Sequence, residues 1–216
     1  MFTGIIKQTG SIQQLIPSGT GIELTIQVSH QFAREVEKQS HISIDGKVLT
    51  VVDKQDYPDH SLLKFYLSSA KVTNFHLSRM INVERAIQSG EEIPGIFFYG
   101  LVSAYVQLVE QQKLADGKVL MTVLFENYLI KYLSVNDQVC IDGVLLLIKN
   151  IRNDHLSFEL YPHTLQLTNL HERVVGDLLR LEVDPITVKV ARIFEKLDFK
   201  KMIKPQTKAN FDGKKP

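Results

Sequence analysis

The sequence predicts an all-β protein in which two similar small domains follow one another and a helix lies near the end of the chain. Three observations lead to this prediction: an internal repeat, short stretches with the alternation of β-strands, and a single helical period in the last part of the sequence. A chain of 216 residues is long enough for two small domains, each with a hydrophobic core.

The internal repeat is visible as pairs of short matching motifs. They are Phe2–Ile6 and Phe98–Val102, Ile44–Gly46 and Ile141–Gly143, Thr73–Asn74 and Thr168–Asn169, and Val83–Glu84 and Leu181–Glu182. The members of every pair are about 95 to 98 residues apart. Because several matches share nearly one offset, a duplication explains them better than chance does.

Strand-like stretches occur in both halves of the repeat. Gly21–Val28 alternates apolar and polar side chains, as a half-buried strand does, while Leu62–Leu67 and Val119–Phe125 are rich in β-branched or aromatic residues. Asp45–Gly46 and Asp142–Gly143 are typical of turns in which glycine supplies a positive φ. Short strands joined by such turns predict a small barrel or sandwich in each half.

Helical patterns are short except near the end of the chain. We expect helices of about two turns at His30–Glu37 and Glu126–Leu133. In Thr187–Leu197 the apolar residues of one face recur at every third position: Val188, Ala191, Phe194 and Leu197. This stripe is typical of an amphipathic helix that either covers a barrel or meets the same helix of another copy.

The composition argues against several classes of function. The formal net charge of +1 gives no reason to expect binding to nucleic acid or to an anionic membrane. The single cysteine, Cys140, excludes an intramolecular disulfide, and the seven histidines lack the spacing of metal ligands. Since the sequence has no signal-like start and no apolar stretch of about 20 residues, we expect a soluble cytoplasmic protein.

Longer motifs point to a known family. They are Met1–Ile6, Ile42–Val51, Ile81–Ala86, Tyr161–Leu165 and Leu181–Pro185. Together they resemble riboflavin synthase over residues 1–197, which implies two duplicated six-stranded Greek-key β-barrels and a C-terminal α-helix. The expected ranges are 1–93 for the N-terminal barrel, 94–186 for the C-terminal barrel, 187–203 for the helix and 204–216 for a disordered tail.

The resemblance also implies a ligand. Each barrel of the family has a cleft for 6,7-dimethyl-8-ribityllumazine or riboflavin, and members assemble as trimers in which two lumazines meet and exchange a four-carbon unit. That reaction needs side chains that carry protons and add to carbon. Members that resemble lumazine protein do not catalyse: they hold one chromophore in the N-terminal barrel and act as antennae for luciferase.

This chain lacks most of the side chains that the resemblance assigns to the reaction. Val48 stands at the family's cysteine position, His41 at its serine position, and the apolar Ile96 and Leu101 at both histidine positions of the second motif. We therefore expect no catalytic residue. His41 and Asp184 are the candidates for residual acid–base help, although Asp184 fits the start of a helix equally well.

The C-terminal barrel is the more altered of the two. Asn136, Leu145 and Leu147 stand where the family has a lysine, a serine and a threonine, so only His163 and Thr164 remain as polar groups. A ribityl chain carries several hydroxyl groups that need partners when they are buried. The sequence therefore predicts a usable cleft only in the N-terminal barrel.

The predicted ligand-binding residues of that cleft lie on two strands and on the opening segment of the second repeat. They are Val48, Thr50, Lys64, Tyr66, Ser68, Ser69, Gly100, Leu101 and Val102. Several have an ordinary alternative: Thr50 as a β-branched strand residue, Lys64 as a solvent-facing charge, and Tyr66 as a core residue. Gly100–Val102 would use backbone groups, which survive side-chain replacement.

The first functional hypothesis is a lumazine- or flavin-binding protein that is not an enzyme and serves as an antenna, carrier or store. Its ligand would be 6,7-dimethyl-8-ribityllumazine, riboflavin or FMN, without a metal, and luciferase is a possible protein partner. The alternatives are a working riboflavin synthase, in which holding two lumazines together suffices, and a scaffold without a ligand. Both a monomer and a homotrimer are compatible with the sequence.

Overall fold

The computed structural model describes residues 1–68, 75–77, 79–91 and 96–197. Within these ranges the strands of the first barrel are β1 Gln8–Ser18, β2 Gly21–Ser29, β3 His41–Ile44, β4 Lys47–Asp56, β5 His60–Ser68 and β6 Met80–Arg85. Those of the second barrel are β7 Ala104–Lys113, β8 Val119–Leu124, β9 Gln138–Ile141, β10 Val144–Arg152, β11 His155–Leu160 and β12 Leu178–Val183.

Both barrels close with the same antiparallel topology. The strand order is β1–β2–β5–β4–β3–β6 in the first and β7–β8–β11–β10–β9–β12 in the second. Equivalent strands carry equivalent bulges, between Val51 and Asp53 on β4 and between Ile148 and Asn150 on β10, where the strands bend as closure requires. The predicted tandem of Greek-key barrels is confirmed.

Each barrel has its own core of inward-facing side chains. Residues alternate between core and surface along the strands, and Phe65 on β5 and Phe158 on β11 are completely buried at equivalent positions. Burying a side chain of this size contributes about 1.5 to 3 kcal/mol. The alternation also places Val48 and Thr50 of β4, and Leu145 and Leu147 of β10, on the outer surfaces of the barrels.

The opening segments of the two repeats cross from one barrel to the other. Phe2–Ile6, the first crossing segment, and Phe98–Val102, the second, join through paired backbone hydrogen bonds of 2.8 Å between Phe2 and Phe98. Ile6 then packs into the core of the second barrel. Each crossing segment thus contributes backbone to the barrel of the other repeat.

A buried polar cluster joins the barrels at the turns that follow β3 and β9. Asp45 and Asp142 lie in these turns, and Arg173 contacts both carboxylates, at 3.2 Å from Asp45 and 2.6 Å from Asp142. Arg180 lies 3.4 Å from Asp45. Burial is the main cause that raises the pKa of Asp142 to about 6, while the guanidinium of Arg173 opposes this change.

Of the two short predicted helices, the first is shorter than expected and the second is a 3₁₀-helix. The α-helix α1 covers only His30–Ala33, because the N–H of Val36 bonds to the carbonyl of Ala33 and turns the chain so that Val36 is buried. Asn127–Tyr132 is a 3₁₀-helix with bonds to the third residue back, such as the one from Leu129 N–H to Glu126 O. Segments this short gain little from α-helical cooperativity.

The C-terminal helix begins two residues earlier than predicted. A short helix α2 spans Pro162–Leu167, and α3 spans Pro185–Lys196, with Asp184 as its N-cap and proline at its first position. Residues 198–203 of the predicted helix and the predicted tail, residues 204–216, lie outside the described residues. Of the predicted stripe, Val188 packs against the second barrel, whereas Phe194 and Leu197 are exposed.

Candidate functional site

The predicted ligand-binding residues of β4 and β5 lie on one outer face of the first barrel. Val51 pairs with Phe65 in the sheet, and both side chains point into the core, so their neighbours Thr50 and Tyr66 point outward side by side. Val48, Lys64 and Ser68 share this face by the same alternation. The predicted contact Ser69 falls outside the described residues.

The second crossing segment forms the other wall of this surface, which we call the first cleft. The N–H of Val48 donates to the carbonyl of Gly100 at 2.9 Å, so the segment is fastened to β4 beside Thr50. Leu101, the next residue, is 61% exposed, an unusual fraction for leucine. The structure therefore brings Val48, Thr50 and Gly100 together with an apolar side chain that faces solvent.

Two predicted contacts are engaged with residues of β1 and β2. The ammonium of Lys64 lies 3.6 Å from the Glu23 carboxylate, and the hydroxyl of Tyr66 donates to the carbonyl of Ser18 at 3.2 Å. The Tyr66 ring covers Gly21 so closely that a Cβ there would lie 2.6 Å from it. Tyr66 is thus a surface residue and not part of the core, and the part of the cleft nearest the crossing segment is left to Thr50.

The two candidates for acid–base help are in different situations. His41 on β3 pairs directly with Thr50 on β4, so its exposed imidazole lies on the face of the first cleft. The Asp184 carboxylate accepts the N–H groups of Ile186 and Thr187 at 3.0 and 2.9 Å, and the Thr187 hydroxyl at 2.7 Å. Asp184 is therefore engaged as a helix cap, the alternative that the sequence also allowed.

The second barrel has an equivalent surface, the second cleft, with a different chemistry. The N–H of Leu145 donates to the carbonyl of Gly4 at 2.8 Å, matching the bond between Val48 and Gly100. Leu147, at the position equivalent to Thr50, is exposed. On β11, Ser157 contributes a hydroxyl that the sequence comparison had not assigned to this face, but it lies 3.3 Å from the Thr122 hydroxyl and already has a partner.

The remaining polar candidates of the second barrel lie on α2. His163 is exposed and its ring lies 6.0 Å from that of Tyr161, in a tilted arrangement. Thr164 is half-buried, and its carbonyl accepts bonds from Thr168, so it is part of the end of the helix. Neither residue is joined by hydrogen bonds to Leu145 or Leu147 among the described contacts.

Two glutamates, the buried Glu182 and the half-buried Glu84, hold the crossing segments, and sequence reasoning had not assigned them to the site. Glu182 on β12 accepts the N–H of Tyr99 at 2.8 Å and that of Gly100 at 3.1 Å. Glu84 on β6 accepts the N–H groups of Thr3 and Gly4 at 2.6 and 3.1 Å. The signal was present in the repeat, since a glutamate follows an apolar residue at the same place in both halves.

Burial changes the titration of both glutamates. Loss of hydration raises the pKa of Glu182 to about 7, and the three backbone N–H groups that face the carboxylate oppose this only in part. Burial likewise raises the pKa of Glu84, against the bonds from Thr3 and Gly4. The two carboxylates also repel each other, which makes charging of both at once unfavourable.

We expect the Glu182→Gln variant to become more stable relative to the wild type as pH rises from about 4.5 to about 7. The folded-state pKa is above the unfolded value, so the stability that Glu182 contributes is complete at low pH and declines through this interval. The difference in the free energy of unfolding should reach about 2 to 3 kcal/mol. Urea denaturation across this pH range measures it.

The same substitution at the exposed Glu110 on β7 is the control for that experiment. Its difference from the wild type should stay level over the same interval. A level difference for Glu182→Gln as well would show that burial does not hold a proton on Glu182.

A separate cavity of about 600 Å³ lies between the first crossing segment, α1 and β6. Its lining includes Ile5, Phe32 and Arg85 but none of the predicted ligand residues. The Arg85 guanidinium is held by Glu35 at 2.7 Å and by Glu91, whose pKa it lowers to about 2. The Arg85 cation is therefore paired with carboxylates, and Lys7 is a second cation in the lining of the cavity.

Two further features are absent from the part of the chain that the structure describes. No group of three or more His, Cys, Asp or Glu side chains there is arranged to hold a metal ion. Among the same residues, no helix has both the length and the apolar character required to cross a membrane.

Comparison with known proteins shows a family match in both barrels. The family model described as the lumazine binding domain matches residues 3–86 and again residues 99–184. The first match contains all strands of the first barrel, and the second match contains all strands of the second barrel. The duplication inferred from the repeated motifs is thus a duplication of this domain.

Curated relatives and solved structures extend the match. Riboflavin synthase of Bacillus subtilis (strain 168) is 26% identical over 210 residues, 97% of each chain, and that of Brucella abortus (strain 2308) is 26% identical over 199 residues, 89% of this chain and 98% of the relative. Crystal structures of LumP complexed with riboflavin and with flavin mononucleotide match with TM-scores of 0.74 and 0.73. At 21% and 20% identity, they cover 85% of this chain and 99% of LumP.

Proposed function

The chain belongs to the lumazine binding domain family, and from this we propose that it binds a lumazine or a flavin in the first cleft without converting it. The ligand class is 6,7-dimethyl-8-ribityllumazine, riboflavin or FMN. LumP structures are complexed with each of these three compounds, which supports the proposal. The protein would then serve as a chromophore carrier, store or antenna, and luciferase is the partner to test for the last role.

The observation that supports this proposal is the position of Thr50 on β4, the strand to which the N–H of Val48 fastens the second crossing segment. A planar ring bound here would contact the apolar side chain of Leu101. It could also form hydrogen bonds with backbone groups of the second crossing segment, which the N–H of Val48 fastens to β4. Thr50 supplies a hydroxyl on the same face for a ring or ribityl oxygen. The combination of an apolar wall and a few placed polar groups is typical of small-molecule sites.

The second cleft lacks the polar half of this combination. Leu147 takes the position of Thr50, and Leu145 that of Val48, while the Ser157 hydroxyl faces Thr122. A bound ribityl chain would leave hydroxyl groups without partners there, each at a cost of about 1 to 3 kcal/mol. We therefore propose one ligand per chain.

The absence of conversion follows from the side chains around the first cleft. Moving protons and adding a nucleophile to carbon requires groups such as His, Cys, Ser or Lys in contact with the ring. Val48 and Leu101 can do neither. His41 remains on the face of the cleft, next to Thr50 on the neighbouring strand, and is the candidate for residual acid–base help, while Lys64 on the same face is paired with Glu23.

The proposal is tested by mixing the purified protein with 6,7-dimethyl-8-ribityllumazine, riboflavin or FMN and following fluorescence and absorbance. We expect saturable binding of at least one compound at one molecule per chain, and no formation of riboflavin from the lumazine. Formation of riboflavin would make the protein a synthase. If the protein bound none of the three compounds, the remaining hypothesis would be a scaffold without a ligand.

The Thr50→Val variant should bind the ligand about five- to tenfold more weakly, because it loses one hydrogen bond of about 1 kcal/mol. Fluorescence titration with the ligand that the wild type binds measures this. Thr164→Val, the same substitution in the second barrel, is the matched control and should bind like the wild type. An equal loss in both variants would contradict the assignment of the ligand to the first cleft.

A further inference from the structure

Glu182 of the second barrel binds the second crossing segment, which forms one wall of the first cleft. It lies on β12 of the second barrel and is only 4% exposed. Its carboxylate accepts the N–H groups of Tyr99 and Gly100, and the N–H of Leu101 faces it as well. Three successive backbone donors of the second crossing segment are thus directed at one side chain.

The same segment is held on its other side by the first barrel. The carbonyl of Gly100 accepts the N–H of Val48 at 2.9 Å. Gly100 is therefore fixed between a carboxylate of the second barrel and a strand of the first. Leu101, which forms the apolar wall of the cleft, follows directly.

We infer that Glu182 is the positioning residue of the ligand site, holding the second crossing segment against β4 so that Gly100 and Leu101 present their groups to the ligand. This inference rests on the proposed function of the first cleft. Glu182 is buried behind the segment and acts through it, so it need not touch the ligand. The site in the first barrel is then incomplete without the second barrel.

The ionised carboxylate is the form suited to this task. Both of its oxygens accept hydrogen bonds, whereas protonation turns one oxygen into a donor that faces the N–H groups of the segment. The groups that face Glu182 from neighbouring elements are Glu84 on β6 and Cys140 on β9. Burial raises the pKa of the Cys140 thiol, so it stays neutral.

Glu84 provides a matched control. It makes the same contacts with the first crossing segment, through Thr3 and Gly4, and that segment borders the second cleft. Glu84→Gln removes a half-buried carboxylate that also binds backbone N–H groups, on the opposite side of the interface. If loss of a carboxylate at the interface weakens ligand binding in general, both variants will bind more weakly. If Glu182 positions the wall of the first cleft, only Glu182→Gln will.

The test measures the affinity of riboflavin and of 6,7-dimethyl-8-ribityllumazine between about pH 6 and pH 8 for the wild type, Glu182→Gln and Glu84→Gln. We expect the wild type to bind more weakly as pH falls, and Glu182→Gln to bind about tenfold more weakly at the upper pH with little dependence on pH. Glu84→Gln should keep the wild-type affinity at the upper pH, and its affinity should decline at a lower pH than that of the wild type, because a charge that raises the pKa of Glu182 is removed. The series is repeated with His41→Asn added to each protein. This substitution removes the imidazole on the face of the first cleft, so that protonation of His41 does not contribute to the pH dependence.

Amide hydrogen exchange gives a readout that needs no ligand. Exchange at Gly100 and Leu101 should become about tenfold faster in Glu182→Gln, while exchange at Thr3 and Gly4 should become faster in Glu84→Gln only. Equal affinity, equal pH dependence or unchanged exchange in Glu182→Gln would overturn the inference. If the wild type binds no probe but the exchange pattern holds, the proposed function fails while the positioning of the segment stands.

Discussion

Replacing Arg173 by methionine should lower the free energy of unfolding by about 3 to 5 kcal/mol. The guanidinium is buried between Asp45 and Asp142, at 3.2 and 2.6 Å, so its removal leaves two buried carboxylates with only the more distant Arg180. Two like charges in a medium of low polarity repel each other strongly. Guanidinium chloride denaturation at neutral pH measures the loss.

The pH dependence of this variant is a second part of the prediction. Burial already raises the pKa of Asp142 to about 6, and the loss of Arg173 removes an interaction that lowers it. Asp142 should then take up a proton on acidification, and the destabilisation should be smaller at about pH 5 than at about pH 8.

Lys149→Met is the control, because it removes a cation from an exposed ion pair with Glu159 at 3.1 Å. Exposed pairs of this kind contribute less than about 1 kcal/mol. If Arg173→Met were no more destabilised than Lys149→Met, the buried cluster would not be a main contributor to the joining of the barrels.

Gly46→Ala should destabilise the protein by about 2 to 4 kcal/mol. Gly46 and Gly143 lie back to back where the two turns meet, and a Cβ on Gly46 would be 2.8 Å from the backbone nitrogen of Gly143. The residue also has a φ of +75°, which alanine adopts with strain. Since the neighbour is backbone, neither turn can move aside without separating the barrels.

Gly117→Ala distinguishes the contact from the backbone strain. Gly117 has a φ of +80°, but the nearest atom to its Cβ would be 3.7 Å away, an ordinary contact. This variant should lose only about 1 kcal/mol. Thermal denaturation of both variants gives the comparison, and equal losses would mean that the approach of the two turns is not tight in solution.

Much of the fold could be predicted because its signals are local. Alternation along Gly21–Val28 and Leu62–Leu67 indicates a surface and a buried face, and Asp45–Gly46 and Asp142–Gly143 indicate tight turns, in which the structure has both residues at positive φ. The short helices were overestimated. A few residues between strands are held by their neighbours rather than by helical cooperativity, so the propensity of His30–Glu37 did not decide its structure.

The candidate site could be predicted only in part. Alternation along β4 and β5 correctly places Thr50, Lys64 and Tyr66 outside the barrel, but it cannot show that Lys64 pairs with Glu23 or that Tyr66 bonds to Ser18. The direction of a side chain on the surface depends on which partners the neighbouring strands bring near. The roles of the predicted ligand residues stay predictions until binding is measured.

The sequence by itself determined the duplication, the strands and turns, and the loss of the family's polar side chains at Val48, Leu101 and Leu147. Only the tertiary structure decided that the two opening segments cross between the barrels and that Glu182 holds the one beside the first cleft. The physical reason is distance along the chain: Glu182 binds backbone groups 82 and 83 residues away. The pattern of a few neighbouring residues cannot predict such a contact, because it forms only when both barrels have folded.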